Sequence, residues 1–298
     1  MGDKSQASLL VTGASGHLGR KIVELLLDAG AKNVTAASRD PGKLADLAAR
    51  GAKTVKADFD DPATLDTAFA GIDRLLIVST DALGTPGQRQ RQHLAAADAA
   101  VKAGVRHILY TSMPNPEPGS LIPFAPDHYA TEQAIEKSGV PFTILRVNWY
   151  DEAVFLWLPQ ALTSGQWLSS AGEGRVGYVA RDDVARAAAA ALLAGVAEGR
   201  LDITGPEALS TREIAAIAND VFGSSITVTP VSDEQLSRSL LGAGLPPPLV
   251  ELVVAMDANR RAGGVDIATD TIARLTGKPA RSLREFLTEN RTTLAPAG

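Results

Sequence analysis

An α/β fold is predicted, a doubly wound parallel sheet followed by a smaller C-terminal α+β substrate domain. Three observations predict it. Apolar runs alternate with helical patterns through the first half of the chain. A glycine triplet follows the first run directly. After residue 150 the alternation gives way to aromatic clusters and shorter elements. The domain expectation is 1–150 for a nucleotide-binding unit and 151–298 for the substrate unit, with elements of the second returning to the main sheet.

The elements follow in order. "SLLVTG" reads as the first strand. From Leu18 the apolar residues Ile22, Leu25, Leu26 and Ala29 recur at helical spacing, and Gly30 supplies a stop. "NVTAAS" is the second strand, with a helix from Pro41 to Arg50. "KTVKADF" is the third, followed by a helix capped by Asp61 with Pro62 as its first residue. "RLLIVST" and "RHILYTS" are the fourth and fifth strands, joined by the helix in "GQRQRQHLAAADAAVKAG". A proline-rich segment from Pro114 to Pro126, left open as a closing lid, leads to a helix over 128–138 and the strand "PFTILRVNW". Beyond it come "GRVGYVA" as a strand, a helix capped by Asp182, the segment "RLDITG", a helix over 211–222 and the strand "SITVTPV". The alanine-rich stretch 183–194 predicts close helix packing.

Repeated strand–helix–strand units form a parallel sheet with helices on both faces, and ligands bind at the carboxyl ends of its strands. Those ends are Thr12 to Gly19, Ala37 to Asp40, Asp58 with Phe59, Ser79 with Thr80, Thr111 to Pro114, and Asn148 to Tyr150.

Composition narrows the function. The 298 residues are 45% hydrophobic and 21% charged, with net charge −5 and no long basic run, so a nucleic-acid partner is not expected. Cysteine is absent, which removes thiolate chemistry and is compatible with a reducing cytoplasm. Four histidines, none paired at helical spacing, argue against a zinc site, and no metal is expected. The N-terminus lacks the features of a secretory signal, and no apolar run reaches bilayer length. The expectation is a soluble cytoplasmic protein with a small-molecule partner, no membrane partner, and a homodimer left open.

"TGASGHLG" places Gly13, Gly16 and Gly19 between a strand and a helix, as G-x-x-G-x-x-G. Helix N-terminal amides attract anions, and glycine lets a pyrophosphate approach the backbone. This predicts a Rossmann-type dinucleotide site; the ATPase pattern G-x-x-x-x-G-K-[ST] is absent. No acid ends the second strand proper. Arg39 stands twenty residues beyond Gly19, where a guanidinium can bind a 2′-phosphate, with Ser38 and Lys43 as supporting groups and Asp40 as the complication. NADPH is the expected cofactor. Asp58 and Phe59 are candidates for the adenine edge and face, with turn capping an equal alternative for Asp58.

"TGASGHLG", "SRDPGK", "KADFDD", "LLIVST", "YTS" and "LRVNWY", in this order, resemble the NmrA-like branch of the atypical short-chain dehydrogenases. "HYATEQAI…SGVPFTILRVNWYDE" and "GYVARDDVARAAAAAL" resemble more narrowly the subgroup of NADPH-dependent quinone oxidoreductases and triphenylmethane reductases. The resemblance implies NADPH binding and hydride transfer to quinones, triphenylmethane dyes or similar conjugated acceptors; related members without turnover act as NADP sensors. It also implies that Gly13, Ser15, Gly16, His17, Leu18 and Gly19 line the pyrophosphate and Arg39 the 2′-phosphate. Ser79 and Thr80 would then line the ribose side, and Thr111, Ser112 and Met113 with Asn148, Trp149 and Tyr150 the nicotinamide end.

The Tyr-x-x-x-Lys pair of ordinary short-chain dehydrogenases is missing. Tyr110, Tyr129, Tyr150 and Tyr178 are followed four positions later by Pro114, Gln133, Val154 and Asp182. A quinone or dye needs that acid less, because its reduced anion is weakly basic. His128 is the candidate proton donor, at the position where isoflavone-type reductases carry a lysine; Glu132 is read as a surface acid rather than its partner. Asn148 and Tyr150 are candidate anchors. Among Phe124, Trp149, Tyr150, Phe155, Trp157 and Trp167, half are expected in the core, with Trp149 and Tyr150 in the pocket. At His17 the backbone is expected to matter more than the ring, and His93 and His107 carry no functional assignment. The rival readings are a carbonyl or imine reductase that has replaced its tyrosine, and a silent NADP sensor.

Overall fold

In the computed structural model, residues 7–294 are described. The N-terminal residues read as lacking a signal, and the outer ends of 1–150 and 151–298, fall partly outside them. The elements are β1 (Leu9–Val11), α1 (His17–Asp28), β2 (Val34–Ser38), α2 (Ala45–Ala49), β3 (Lys53–Lys56), α3 (Pro62–Phe69), β4 (Arg74–Ile77), α4 (Gln88–Lys102), β5 (His107–Ser112), α5 (Ala125–Lys137) and β6 (Phe142–Val147). They continue with α6 (Leu158–Ser164), β7 (Gln166–Ser169), β8 (Arg175–Val176), α7 (Arg181–Ala194), β9 (Gly199–Ile203), β10 (Leu209–Ser210), α8 (Thr211–Phe222), β11 (Thr227–Pro230), α9 (Asp233–Gly242), α10 (Pro247–Arg261), α11 (Thr271–Thr276), α12 (Leu283–Glu289) and α13 (Arg291–Leu294).

Seven strands pair in parallel in the order β3-β2-β1-β4-β5-β6-β9. Alternate residues of each strand point to opposite faces. Leu9 and Val11 of β1, Leu76 of β4, Leu109 of β5 and Leu145 of β6 therefore join one core under α1 and α7. Leu10, Leu75, Ile77, Ile108, Tyr110 and Ile144 join a second core under α3 and α4. Both faces are covered, which explains the unbroken apolar runs.

The chain beyond residue 150 serves both this sheet and a separate cluster. α7 packs on α1, and β9 extends the sheet beside β6. A third core, around Val154, Leu158, Ile214 and Phe286, lies under α8 and α12. Two small sheets, β10-β8 and β11-β7, complete this region. Trp157 and Trp167 stack there with centroids 3.9 Å apart, and Phe155 meets Phe286 edge to face at 6.0 Å.

Several boundaries differ from expectation. Pro41–Leu44 is a 3-10 turn, so only residues 45–49 of the expected second helix are α-helical. α5 starts at Ala125, a turn before residue 128, because Pro126 is tolerated at a helix start. Asp61 precedes α3, but its side chain makes no capping bond. Asp182 lies inside α7; the Glu152 carboxylate accepts the Arg181 N–H at 3.1 and 3.2 Å instead. Among the described residues, no helix is long and apolar enough to cross a membrane.

Candidate active site

The glycine loop is held from below. The Thr12 N–H donates to Leu76 O at 3.0 Å, and Thr12 Oγ1 accepts the Val78 N–H at 2.9 Å. Gly13 takes φ +63°, a left-handed conformation that glycine adopts without strain. The Gly16 N–H returns to Gly13 O at 2.9 Å. A Cβ at Gly19 would lie 2.4 Å from Gly13 O, so this helix turn packs directly on the loop backbone. Gly16 caps α1 without a side-chain acceptor, leaving the amides of the first turn, at His17, Leu18 and Gly19, directed out of the helix. Ser38 Oγ donates to Ser15 Oγ at 2.9 Å, tying the end of β2 to the loop.

A cleft of about 550 Å³ opens along the carboxyl ends of the strands. It brings together Gly13, Ser15, Gly16, His17, Leu18, Gly19, Ser38, Arg39, Asp58, Phe59, Ser79, Thr80, Thr111 and Tyr150 among the residues singled out in sequence. Arg39 is exposed and has no carboxylate partner among the described residues. Asp40 accepts the Gly42 N–H at 3.0 Å, as the cap of the 3-10 turn, so its carboxylate is committed there. Asp58 both lines the cleft and caps its turn, Oδ1 accepting the Asp60 N–H at 3.1 Å. Thr111 Oγ1 accepts the Ser79 N–H at 2.8 Å, and Thr80 Oγ1 donates to Gln92 Oε1 at 2.8 Å.

Lys43, Ser112, Met113, His128 and Asn148 do not reach the cleft wall. Lys43 is exposed, and its carbonyl receives Arg20 at 2.7 Å. Ser112 Oγ donates to Glu132 at 2.6 Å. Met113 packs with Ile122 and Ala125, beside Phe124 and Trp149. Asn148 Nδ2 donates to Val265 O at 3.1 Å while its Oδ1 accepts the Trp149 N–H at 2.8 Å, so Asn148 fastens the C-terminal region to β6. Glu132 is fully buried rather than a surface acid, because Arg146 Nη2 meets it at 2.6 Å and compensates its charge.

His128 belongs to a buried chain behind Thr80. The Thr80 N–H donates to His93 Nε2 at 2.9 Å, and Arg89 Nη2 lies 2.8 Å from His128 Nε2. An amide and a guanidinium only donate, so both Nε2 atoms accept and both protons sit on Nδ1. Those Nδ1 atoms lie 3.1 Å (His93) and 2.8 Å (His128) from Tyr110 Oη, which therefore receives both hydrogen bonds. Burial, then Arg89, pushes His93 down to about 3 and His128 well below 6.5. Burial raises the Tyr110 phenol. The arrangement holds neutral imidazoles in place and positions Thr80; it does not offer His128 a proton to give at neutral pH.

Sequence reasoning missed Ala57, Val78, Asp81, Ala82, Gln92 and Arg181 as cleft residues. Arg181, the first residue of α7, carries its guanidinium 4.9 Å over the Tyr150 ring. Burial pushes the Tyr150 phenol up to about 12, against the lowering effect of Arg181.

Comparison with known proteins places this geometry. Residues 13–194 match a family model described as NAD(P)H-binding. The structure of an NADPH-dependent quinone oxidoreductase from Escherichia coli, complexed with NADPH, superposes with a TM-score of 0.88 at 31% identity, covering 94% of this chain and 99% of that one. The triphenylmethane reductase of Citrobacter sp. gives 0.86 at 32%, covering 95% and 98%. A (4-alkanoyl-5-oxo-2,5-dihydrofuran-3-yl)methyl phosphate reductase of Streptomyces griseus is 34% identical over 97% of this chain and 99% of its own. The amide cradle, the strand order and these likenesses agree: the chain belongs to the NAD(P)H-binding family, in the NmrA-like group that includes the quinone oxidoreductases and triphenylmethane reductases.

Proposed function

We propose that the chain is an NADPH-dependent oxidoreductase that passes a hydride to quinones or similarly conjugated acceptors. The observation that carries the reading is the pairing, in one cleft, of the uncapped α1 amides with Arg39, which has no carboxylate partner among the described residues. The residues fit the cofactor. A side chain at Gly19 would collide with the loop, the α1 N-terminus suits a pyrophosphate, and Arg39 suits a 2′-phosphate.

The chemistry NADPH supplies when bound is a two-electron hydride. The chain's residues bind and orient. Gly13, Ser15, Gly16, His17, Leu18 and Gly19 cradle the pyrophosphate, and Arg39 holds the 2′-phosphate, with Lys43 adding longer-range charge from the turn. Asp58 and Phe59 border the adenine. Ser79 and Thr111 are tied by mutual hydrogen bonds and Thr80 by Gln92 and His93; Ser79 and Thr80 line the ribose side, Thr111 shapes the nicotinamide end, and Tyr150 closes it. Ser112, Met113 and Asn148 act from behind this wall, and His128 positions Thr80 through Tyr110 and His93. Tyr110, Tyr150 and Tyr178 all have their phenols raised by burial, so none of the three is prepared for acid–base work on an alkoxide. An acceptor whose reduced anion takes its proton from water suits such a site.

The likenesses support this reading: the relatives are named for reducing a quinone, a triphenylmethane dye and an unsaturated furanone phosphate. The absence of cysteine fits a cytoplasmic location, which fractionation tests. Exposed Leu156, Leu241 and Leu249 motivate a homodimer, which light scattering tests. The deciding experiment for function is NADPH oxidation against quinones, cationic dyes and simple ketones. Turnover of the first two and not the third is expected. Tight NADPH binding without turnover on any acceptor would replace the enzyme by a sensor.

A further inference from the structure

The cleft carries two guanidiniums, Arg39 and Arg181, and neither has a carboxylate partner among the described residues. They stand at opposite ends. Arg39 follows β2. Arg181 is held over Tyr150, which follows β6 and bridges to Val179 just before α7. Four strand spacings separate β2 from β6 in the order β2-β1-β4-β5-β6, about 19 Å at roughly 4.8 Å each.

The three anionic groups of NADPH are accounted for without Arg181. The 2′-phosphate falls to Arg39, and the two bridging phosphates to the amides between the ends. The nicotinamide ring end carries a neutral carboxamide and has no use for a fixed cation. Of the two carboxylates lining the cleft, Asp58 follows β3 and Asp81 follows β4, so the β6 end has no internal counter-charge. Glu152 is turned to the Arg181 backbone N–H and lies beyond ion-pair reach of its guanidinium, while Asp182 and Asp183, next in sequence, pair with Arg281 and Arg186 instead. Stacking on Tyr150 holds the Arg181 head in place before a ligand arrives, which lowers the entropy lost on binding.

Resting on the reductase reading, we propose that Arg181 reads a negative substituent on the acceptor. The substrates of this cleft are conjugated acceptors that carry a carboxylate, sulfonate or phosphate beside the reducible system. The guanidinium donates paired hydrogen bonds to that group, while the ring lies between Tyr150 and the nicotinamide.

The test compares wild type, Arg181→Gln and Arg181→Lys on a naphthoquinone and its sulfonate. Steady-state kinetics at saturating NADPH are paired with calorimetry of NADPH binding, and of the sulfonate titrated into the NADP⁺ complex. Wild type is expected to favour the sulfonate. In Arg181→Gln the ratio of kcat/KM for sulfonate over parent falls roughly 10–100-fold, the value of a charge-assisted pair. The change sits in KM, the sulfonate affinity of the NADP⁺ complex falls in parallel, NADPH affinity holds, and Arg181→Lys recovers part of the loss. Equal loss on both quinones overturns the proposal, as does a tenfold loss of NADPH affinity with an unchanged ratio, which would make Arg181 a cofactor residue. If wild type binds NADPH but reduces neither quinone, the reductase reading fails. The calorimetric sulfonate titration then decides the Arg181 inference alone: loss on Arg181→Gln supports it, and no difference overturns it.

Discussion

Gly19→Ala perturbs the nucleotide loop at its tightest point. The new methyl would lie 2.4 Å from Gly13 O, 2.7 Å from Gly13 C and 3.0 Å from Thr12 O. Ordinary contact begins near 3.4 Å, so the Gly13 peptide must retreat by about 1 Å. It has little freedom to do so. Gly13 O accepts the Gly16 N–H at 2.9 Å, and Thr12 is held at 3.0 Å to Leu76 and at 2.9 Å to Val78. Overpacking costs about 1–3 kcal/mol and a strained hydrogen bond about 1 kcal/mol more. Stability should fall by about 2–4 kcal/mol, a drop in Tm of roughly 5–10 °C. The same displacement moves the amides off the pyrophosphate, so the Kd for NADPH should rise at least about tenfold. Thermal denaturation and calorimetry read the two effects separately. Gly242→Ala is the control: it lies in α9 with nothing within 4 Å of its added Cβ, and alanine favours a helix. Wild-type Tm and NADPH affinity in Gly19→Ala would refute the packing argument.

Two further outcomes concern protons. Asp151 is fully buried, and neither carboxylate oxygen has a hydrogen-bond partner among the described residues; burial, then Glu152, raises its pKa well above 3.8. Its proton therefore stabilises the fold below the unfolded carboxylate pKa, and that contribution is lost as pH rises toward the folded value. Asp151→Asn should raise Tm at neutral pH and converge with wild type near about pH 4; a Tm below wild type at neutral pH would contradict the burial argument. His93, at about 3, His107, at about 4, and His128, well below 6.5, have the opposite sign. They stay neutral when folded, so each removes about 1.4 kcal/mol per pH unit as pH falls below 6.5, until its folded pKa is reached. The His93 and His128 imidazole resonances should hold still from about pH 8 to 5; titration of either near pH 6.5 would break the hydrogen-bonded chain described here.

What could be read from sequence was local. β1 and β4 announce themselves because strands covered on both faces need apolar residues at every position. The glycine loop is legible because its three residues act within one turn, and Arg39 because its offset from the loop is set by one helix and one strand. The unread features are distant pairings. Asn148 looks like a polar anchor at a strand end, yet carbonyls 117 and 119 residues away claim its amide. His93, Tyr110 and His128 sit on α4, β5 and α5, and no periodicity reveals that they meet. Lys43 fits a helical turn on paper, but Pro41–Leu44 is a 3-10 turn that leaves it outside the cleft. Glu132 looks solvated until Arg146, arriving from β6, buries it. Arg181 escaped notice because the cap of its helix comes from Glu152, in a preceding turn, and the expected cap Asp182 drew attention past it.

The most direct measurement is a pair of calorimetric titrations, NADPH and NADH, on wild type and Arg39→Ala. The account predicts NADPH binding at least about tenfold tighter than NADH in wild type, from the charge-assisted bonds of one guanidinium to the 2′-phosphate. In Arg39→Ala the two coenzymes should bind alike, at the wild-type affinity for NADH. Equal affinities in wild type, or no binding of either coenzyme at millimolar concentration, would contradict it.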